Sequence, residues 1–460
     1  MKDKIAWFTP ISNSTGIAKF SKVLLPELTK FFEVDIWTPI DQKEYYDKRE
    51  IGDVNIIYFE SGKELRKNLK EYKEVIYNLG NNTKFHDEIY KVYQKNPGII
   101  ILHDFVMLHY LIDFFYKKDL EKNKIYQLLF LIKRIFLKIL RITKRALLKI
   151  PLLSKSKGGK IHQKIRSVLD KKRFLIAMPG YLKDYLDLVK KTYGDDAAET
   201  QKKIIMEKGI EFFLNSELIM KYPLSDYIAK RADSIIIHSD FYNDFLNNSD
   251  ITNRIKKINF PTPVVNSSSN SLDEIKKEKF LFLSYGHIVP NKYIYEVINV
   301  IGELGPDFYN QIEYVIIGNV DAHYLEKINN LIETYKLQGS VKLLGYQDDN
   351  VLNDYLQKCD LCINLRYPNA EGASWSVIEQ MLNKRLILSF DTGFYAEIPN
   401  DCMCKIPLND FDILKDELRN IINNYSSYEE YKNNAENFAK NNFCTEKYVQ
   451  SLKEFIYEGC

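Results

Sequence analysis

Two glutamates, Glu371 and Glu379, stand eight residues apart in the stretch NAEGASWSVIEQM, with Gly372, Ser374 and Ser376 between them. The apolar run LCINL (361–365) reads as a strand, so RYPNAEGAS is the loop at its carboxyl end, and a helix runs through VIEQML. Open α/β sheets bind ligands at that edge. A helix N-terminus offers unpaired N–H groups and the positive end of its dipole, which together receive an anion. Ser374 or Ser376 is placed to cap that helix, and Gly372 lets a backbone approach a ligand closely. Glu379, in the first turns, reaches a diol such as a ribose. Glu371, on the loop, reaches a second polyol. An anion flanked by two polyols has the layout of a nucleotide sugar. The spacing alone is weak, because Glu-x7-Glu recurs by chance and a solvated helix face explains it equally well.

A second segment strengthens the first. KFLFLSYGHIVPNKYIYEVINVI (279–301) reads as strand, glycine turn and helix, with Gly286 ending the strand and His287 beside it. Lys292 falls at or near the next helix start, where an ammonium meets a phosphate as a point charge. Its plain alternative is an exposed surface lysine. His103 closes the strand IIILHD next to Asp104, where polar groups line a cleft. His238, in IIIHS, is open between a functional and a structural reading, and His86, His109, His162 and His323 read as structural or surface. No Asp-x-Asp stands at a strand end, and Asp348 and Asp349 in GYQDDN read as a solvated turn, so no metal is expected. The six cysteines include Cys359/Cys362 and Cys402/Cys404. Cys362 opens an apolar strand, which favours buried, reduced thiols over a zinc site and implies a reducing cytosol.

The elements that position these residues come in two series. A chain of 460 residues exceeds one core, so two domains are expected. IAWFTP (5–10), VDIWTP, VNIIYF, EVIYNLG, GIIILHD and SIIIHS (234–239) alternate with helices over AKFSKVLLPELTKFF and HDEIYKVYQ. KFLFLSYG (279–286), EYVIIG (313–318), VKLLG (341–345), LCINL and RLILSF (385–390) form the second series. Short apolar strands alternating with helices mean parallel sheets covered on both faces. Pro261, Pro263 and a serine/asparagine run make 259–279 the linker. The expected division is a Rossmann-like domain over 1–262, a second over 275–442, and a C-terminal helix over 443–460 packing back on the first.

Residues 111–230 fit neither series and read as an insertion. Within it, 122–169 holds 14 Lys or Arg and no acidic residue. Arg134, Lys138, Arg141, Arg145 and Lys149 fall on one helical stripe, with Leu, Ile and Phe filling most of the rest. That pattern suits an anionic membrane surface. A solvated basic face is the alternative, and a nucleic-acid arm is disfavoured because the apolar residues are mostly aliphatic. The net charge of +3, from 65 basic and 62 acidic residues, does not imply nucleic acid. No stretch reaches the ~18 uncharged apolar residues of a membrane span, and MKDKIAWFTP has no signal-peptide core.

Together, the strand–Gly–x5–Lys turn, LRYP-x2-EG-x-S-x3-IE-x-M and the later D-x-G-x3-E (Asp391, Gly393, Glu397) resemble family 4 glycosyltransferases. TPISNSTGIAKFS and YNLGNNTKFHDEIY…NPGIIILHDFVMLH are similar to the N-terminal domain of bacterial members that build surface polysaccharides. The resemblance implies a GT-B fold, with two doubly wound Rossmann-like domains facing across a cleft. It implies retaining, metal-independent hexosyl or glycosyl transfer from a UDP-, GDP- or dTDP-linked sugar, with no cofactor besides that co-substrate.

Carried over residue by residue, the resemblance gives Lys292 the donor diphosphate, with Gly286 and His287 beside it, and Gly16 the phosphates from the other domain. Glu379 would bind the ribose, and Tyr346 would lie near the base. Glu371 would contact the transferred sugar, helped by the backbone N–H groups of Gly372, Ala373 and Ser374. His103 would stand by the anomeric carbon, completing with Lys292 and Glu371 the set that carries the chemistry. Relatives usually have arginine at the place of His287, and glycine and proline at those of Lys384 and Leu386. The expected acceptor is a lipid-linked saccharide or a lipopolysaccharide- or capsule-type glycan, reached by a peripheral protein at the inner face of the cytoplasmic membrane. The alternatives are a scaffold without turnover and a nucleotide-sugar epimerase.

Overall fold

The computed structural model describes residues 2–12, 15–45, 54–60, 68–122, 179–261 and 279–458. The linker core at 262–278 and all of the basic segment beyond Lys122 lie outside the described residues. Two compact units result, one of Met1–Gly80, Phe85–Val106 and Ser225–Cys460, the other of Asn81–Lys84 with Met107–Leu224.

The first unit holds two parallel sheets. The first sheet is built from β1 (Lys4–Phe8), β2 (Glu33–Pro39), β3 (Asn55–Phe59), β4 (Glu74–Leu79), β5 (Ile99–Leu102), β6 (Ser234–Ile237) and β7 (Arg254–Lys257), in the order β3-β2-β1-β4-β5-β6-β7. Its central strands are buried along nearly their whole length, as a parallel sheet covered on both faces requires. Helix α1 (Gly16–Leu28) follows β1, and α2 (Thr83–Lys95) follows β4. The apolar pattern of α1 continues to Phe32, but the helix stops at Leu28, where the Thr29 N–H caps onto Leu25 and Glu27. Pro26 lies just inside this end and cannot donate to the helical ladder, which favours termination there.

The main part of the second unit enters the chain between β5 and β6, and its described elements are helical. It contains α3 (Leu108–Lys122), α4 (Gly180–Tyr193) and α5 (Asp195–Lys208). Gly180 admits the Asp119 carboxylate, whose oxygen would lie 3.0 Å from an added Cβ. The Tyr193 hydroxyl accepts the Leu224 N–H at 2.9 Å near the unit's exit.

Between β6 and β7 lies α6 (Asp240–Asn247). The second sheet is β10-β9-β8-β11-β12-β13, from β8 (Phe280–Tyr285), β9 (Ile312–Ile317), β10 (Val341–Gly345), β11 (Leu361–Ile363), β12 (Leu386–Phe390) and β13 (Cys404–Ile406). Helices α7 (Ile294–Leu304), α8 (Ala322–Tyr335), α9 (Asp349–Lys358) and α10 (Trp375–Leu382) connect its strands, followed by α11 (Phe411–Asn423), α12 (Glu429–Asn442) and α13 (Thr445–Glu458). The strand order reverses between β1 and β4 in one sheet and between β8 and β11 in the other. The loops after those strands are where doubly wound sheets open a crevice.

Helix α13 packs on α1. Tyr448 meets Phe20 edge-on at 5.5 Å, Tyr457 stacks on Phe32 at 6.0 Å, and the Tyr457 hydroxyl donates to Asp3 at 2.9 Å. A continuous apolar cluster runs from Ile5, Trp7 and Phe20 through Tyr448 and Phe455 to Leu283, Val377 and Met381.

Two local expectations are corrected. Asp348 and Asp349 do not form a solvated turn: Asp348 caps α9, accepting the Asn350 and Val351 N–H groups at 3.0 Å each. Asx residues favour turns and caps by the same hydrogen bond, and here a ten-residue helix follows the cap rather than a bend. Ser374 occupies the cap position of α10 but makes no capping bond with its side chain; its hydroxyl meets Ser376 at 3.2 Å instead.

The positions that depart from the family pattern are accommodated locally. Lys384 takes the left-handed conformation (φ 56°) where a glycine would be unstrained, and its ammonium pairs with Glu429 at 3.3 Å. Leu386 opens β12 and pairs with Leu361 in a fully buried strand. Cys359 and Cys362 are buried with their sulfurs 3.5 Å apart, and Cys402 and Cys404 are also buried.

Candidate donor site at the second switch point

Gly286 follows β8 with φ 97° and donates its N–H to Ile317. Gly318, with φ 149°, presses against it: a Cβ there would lie 1.7 Å from the Gly286 carbonyl oxygen. This tight turn leads to the 3-10 segment Pro290–Lys292. Lys292 is no surface lysine. It is 9% exposed, and its ammonium folds back to donate to the Tyr285 carbonyl at 2.6 Å. Burial, then the nearby Arg366 charge, pulls its pKa down to about 7, with Glu371 opposing. His287 is exposed.

The loop after β11 is stitched to that turn. Tyr367, which precedes a cis proline, donates its N–H to the Asn291 carbonyl at 2.9 Å, and the Asn291 amide donates to the Pro368 carbonyl at 3.3 Å. Arg366 is buried at the loop's start and pairs through Nη1 with the Glu371 carboxylate, whose side chain is 41% exposed. Asn369 donates to the Thr392 carbonyl and hydroxyl at 3.0 and 2.8 Å, anchoring the loop from the β12 side. Helix α10 carries Glu379, which accepts the Tyr285 hydroxyl at 2.7 Å. Burial raises the Glu379 pKa, and the Tyr285 bond works against that rise. Tyr285 therefore holds two candidate residues, Lys292 with its carbonyl and Glu379 with its hydroxyl.

The same loop meets the first sheet. Glu371 forms an isolated antiparallel bridge with Asp104, Gly372 donates its N–H to the His103 carbonyl at 2.9 Å, and Val106 donates to Ala370 at 3.0 Å. The Gly372 N–H, expected to help hold a ligand, is thus committed to protein. A side chain at 372 would crowd this contact, because a Cβ would stand 3.1 Å from the His103 carbonyl oxygen. Ala373 and Ser374 are buried behind it.

His103 is 7% exposed. Its Nε2 meets the Asn78 side-chain oxygen at 3.1 Å, while its Nδ1 is buried without a hydrogen-bond partner among the described residues. Phe20 and His238 pack on the ring at 4.5 and 5.2 Å. Burial, then His238 and His86, drives its pKa well below the usual value, so the ring is neutral. His86 and His238 are likewise lowered to about 4 by burial, and His238 Nδ1–H donates to Ile258 at 3.0 Å. All three are core groups rather than surface ones.

Gly16 is the first residue of α1, capped by Thr15, and a Cβ there would meet nothing within 4 Å among the described residues. Tyr346 follows β10 and is 71% exposed. Among the described residues, no group of three His, Cys, Asp or Glu could hold a metal ion, and no helix is long and apolar enough to cross a membrane.

Four contributors were given no role from sequence. Arg366 stood inside a motif without a role, and Tyr285 immediately before Gly286. Lys19 of α1 reaches Asp349 at the start of α9, 3.2 Å away. Glu397 accepts the Phe241 N–H of α6 at 2.9 Å and pairs with Lys257 at 3.4 Å. Tyr285, Lys19 and Glu397 act through partners far off in the chain, which spacing does not reveal, whereas Arg366 pairs with Glu371 only five residues on.

Residues 270–438 match the family described as glycosyl transferases group 1. The whole chain is similar in structure to Anabaena Alr3699/HepE crystallised in complex with UDP and glucose. That likeness has a TM-score of 0.59 at 12% identity, over 99% of this chain and 100% of the other. Sucrose-phosphate synthase from Thermosynechococcus elongatus is similar at TM-score 0.54 and 12% identity, over 99% of each chain. A glycosyltransferase from Rickettsia africae ESF-5 is similar at TM-score 0.52 and 13% identity, over 99% of this chain and 98% of the other. At these identities the likeness is one of fold. A comparison with curated proteins finds no match.

Proposed function

We propose that the chain is a glycosyltransferase of the group 1 kind, whose family model residues 270–438 match, that its donor is a UDP-linked hexose and that it transfers the sugar with retention. The observation that carries this reading is the convergence of Lys292 and Glu371, on the loops after β8 and β11, with Glu379 of α10, at the switch point of the second sheet. The fold likeness to a protein crystallised with UDP and glucose supports the choice of base.

In this reading Lys292 and the N-terminus of α10 face the diphosphate, whose charge grows as the sugar leaves. Glu379, held by Tyr285, takes the ribose hydroxyls, and Glu371, held by Arg366, takes hydroxyls of the transferred sugar. Tyr346 stands by the base, and Gly16 leaves room for the phosphates at the start of α1. His103, kept neutral by burial, contributes position rather than a proton. Departure and attack take place on one face of the sugar, without a carboxylate nucleophile. The positive charge of the site comes from protein groups, so the reaction proceeds without a metal ion.

The acceptor is a lipid-linked or lipopolysaccharide-type saccharide at the cytoplasmic face of the membrane. The basic amphipathic pattern at 122–169 supports that choice.

Calorimetric titration of UDP, GDP, dTDP and ADP into wild type and Glu379→Ala tests the donor assignment. UDP should bind to wild type and lose at least tenfold in the variant, the order expected for a lost hydrogen bond to a charged group. A folded wild type that binds none of the four refutes the reading.

A further inference from the structure

A diphosphate brings more than one negative charge, and Lys292 alone is a weak match, since burial holds it near half protonation at neutral pH. The structure places a second cation against it. Arg366 lies one residue before Tyr367, whose N–H donates to Asn291, the residue before Lys292. The Pro368 carbonyl accepts from the side-chain amide of that Asn291, so the two cationic segments are fastened side by side. The Arg366 guanidinium is buried, always charged and rigidly planar. Its Nε finds no hydrogen-bond partner among the described residues, which is costly for a buried donor. Glu371 is the carboxylate that both Lys292 and Arg366 feel, and its side chain is the exposed member of the ion pair. Two buried cations around one half-exposed carboxylate leave positive charge that an incoming anion would match.

We propose that Arg366 is the second cation of the donor-diphosphate site: in the free protein it holds Glu371, and with donor bound it shares its guanidinium between Glu371 and a phosphate oxygen. This rests on the nucleotide-sugar reading of the same site. It assigns Arg366 a contact with the leaving group beyond the positioning of Glu371.

The test compares UDP with uridine, by calorimetry at pH 6.5, on wild type, Arg366→Gln, Arg366→Lys, Glu371→Gln and the Arg366→Gln/Glu371→Gln double variant. Arg366→Gln should weaken UDP by about ten- to a hundredfold, the range for a charged hydrogen bond, and leave uridine unchanged. Arg366→Lys should recover part of the loss. Glu371→Gln should tighten UDP, because Arg366 is freed from a competing carboxylate, and that gain should vanish in the double variant. UDP affinity within twofold of wild type in Arg366→Gln overturns the proposal and leaves the donor reading standing. Equal losses for UDP and uridine also overturn it, since they mark a damaged pocket rather than a lost phosphate contact. A wild type that binds neither UDP nor uridine overturns both.

Discussion

Lys292 makes the clearest residue-scale prediction. Its folded pKa lies near 7, far below the ordinary lysine value, so the free protein loses that charge as pH rises through 7. A diphosphate binds the protonated form and restores the proton. UDP binding should therefore weaken as pH climbs from about 7 to 9, by up to about tenfold per unit. It should also take up close to one proton, read by calorimetry in buffers of different ionisation enthalpy, and Lys292→Met should remove both effects. For folding the sign is opposite. The unfolded chain binds this proton more tightly, so the free protein gains stability between about pH 7 and 10, measurable as a rising urea midpoint. The type and place of Lys292 were legible in the sequence, but its burial was not. A lysine in a Pro-Asn-Lys turn reads as solvated, and what turns it inward is the Tyr285 carbonyl behind the φ 97° turn at Gly286. Tyr285 and Glu379 lie 94 residues apart, so no local pattern announces their bond.

At the scale of elements, the strands were easiest to read. Buried parallel strands such as IIIL and LILSF are unbroken apolar runs with no competing periodicity. Ends were harder. The α1 pattern runs past Leu28 because apolar residues continue into the turn that follows, and only Pro26 hints at the stop. The β8 turn depends on a contact between two loops: Gly318 packs on the Gly286 carbonyl. Gly318→Ala drives a methyl into that oxygen, so it should displace the turn carrying Lys292 and abolish measurable UDP binding. It should also lower stability by about 2–4 kcal/mol in urea unfolding, the range of severe backbone and packing lesions. Asp348→Ala, which removes only the cap of α9, should cost about 1 kcal/mol.

At the scale of the molecule, the loops of the two sheets are joined by backbone bonds between 103–106 and 370–372 and by the Glu397 carboxylate at the first turn of α6. Glu397→Gln keeps the shape but loses the charge that pairs with Lys257. It should leave UDP affinity within about twofold, a change under 0.5 kcal/mol, and lower kcat several-fold, since a contact that ties the loops of the two sheets together steadies the arrangement in which turnover occurs. An unchanged kcat would remove Glu397 from that role. The basic stripe belongs to this scale too. Reversing Arg134, Lys138 and Arg141 to glutamate should release the protein from anionic vesicles in a flotation assay while UDP binding persists. Unchanged flotation would refute the membrane proposal. Helix α13 has a further consequence, during synthesis. Phe20 of α1, with Phe31 and Phe32 in the turn after it, is covered by Tyr448, Lys453 and Tyr457. As the chain leaves the ribosome those rings stay bare until residues 445–458 emerge, so the first domain to be made is among the last to be sealed. A nascent chain stalled before Thr445 would expose its fault in the N-terminal domain, as chaperone binding and protease cleavage near α1, hundreds of residues from the missing segment.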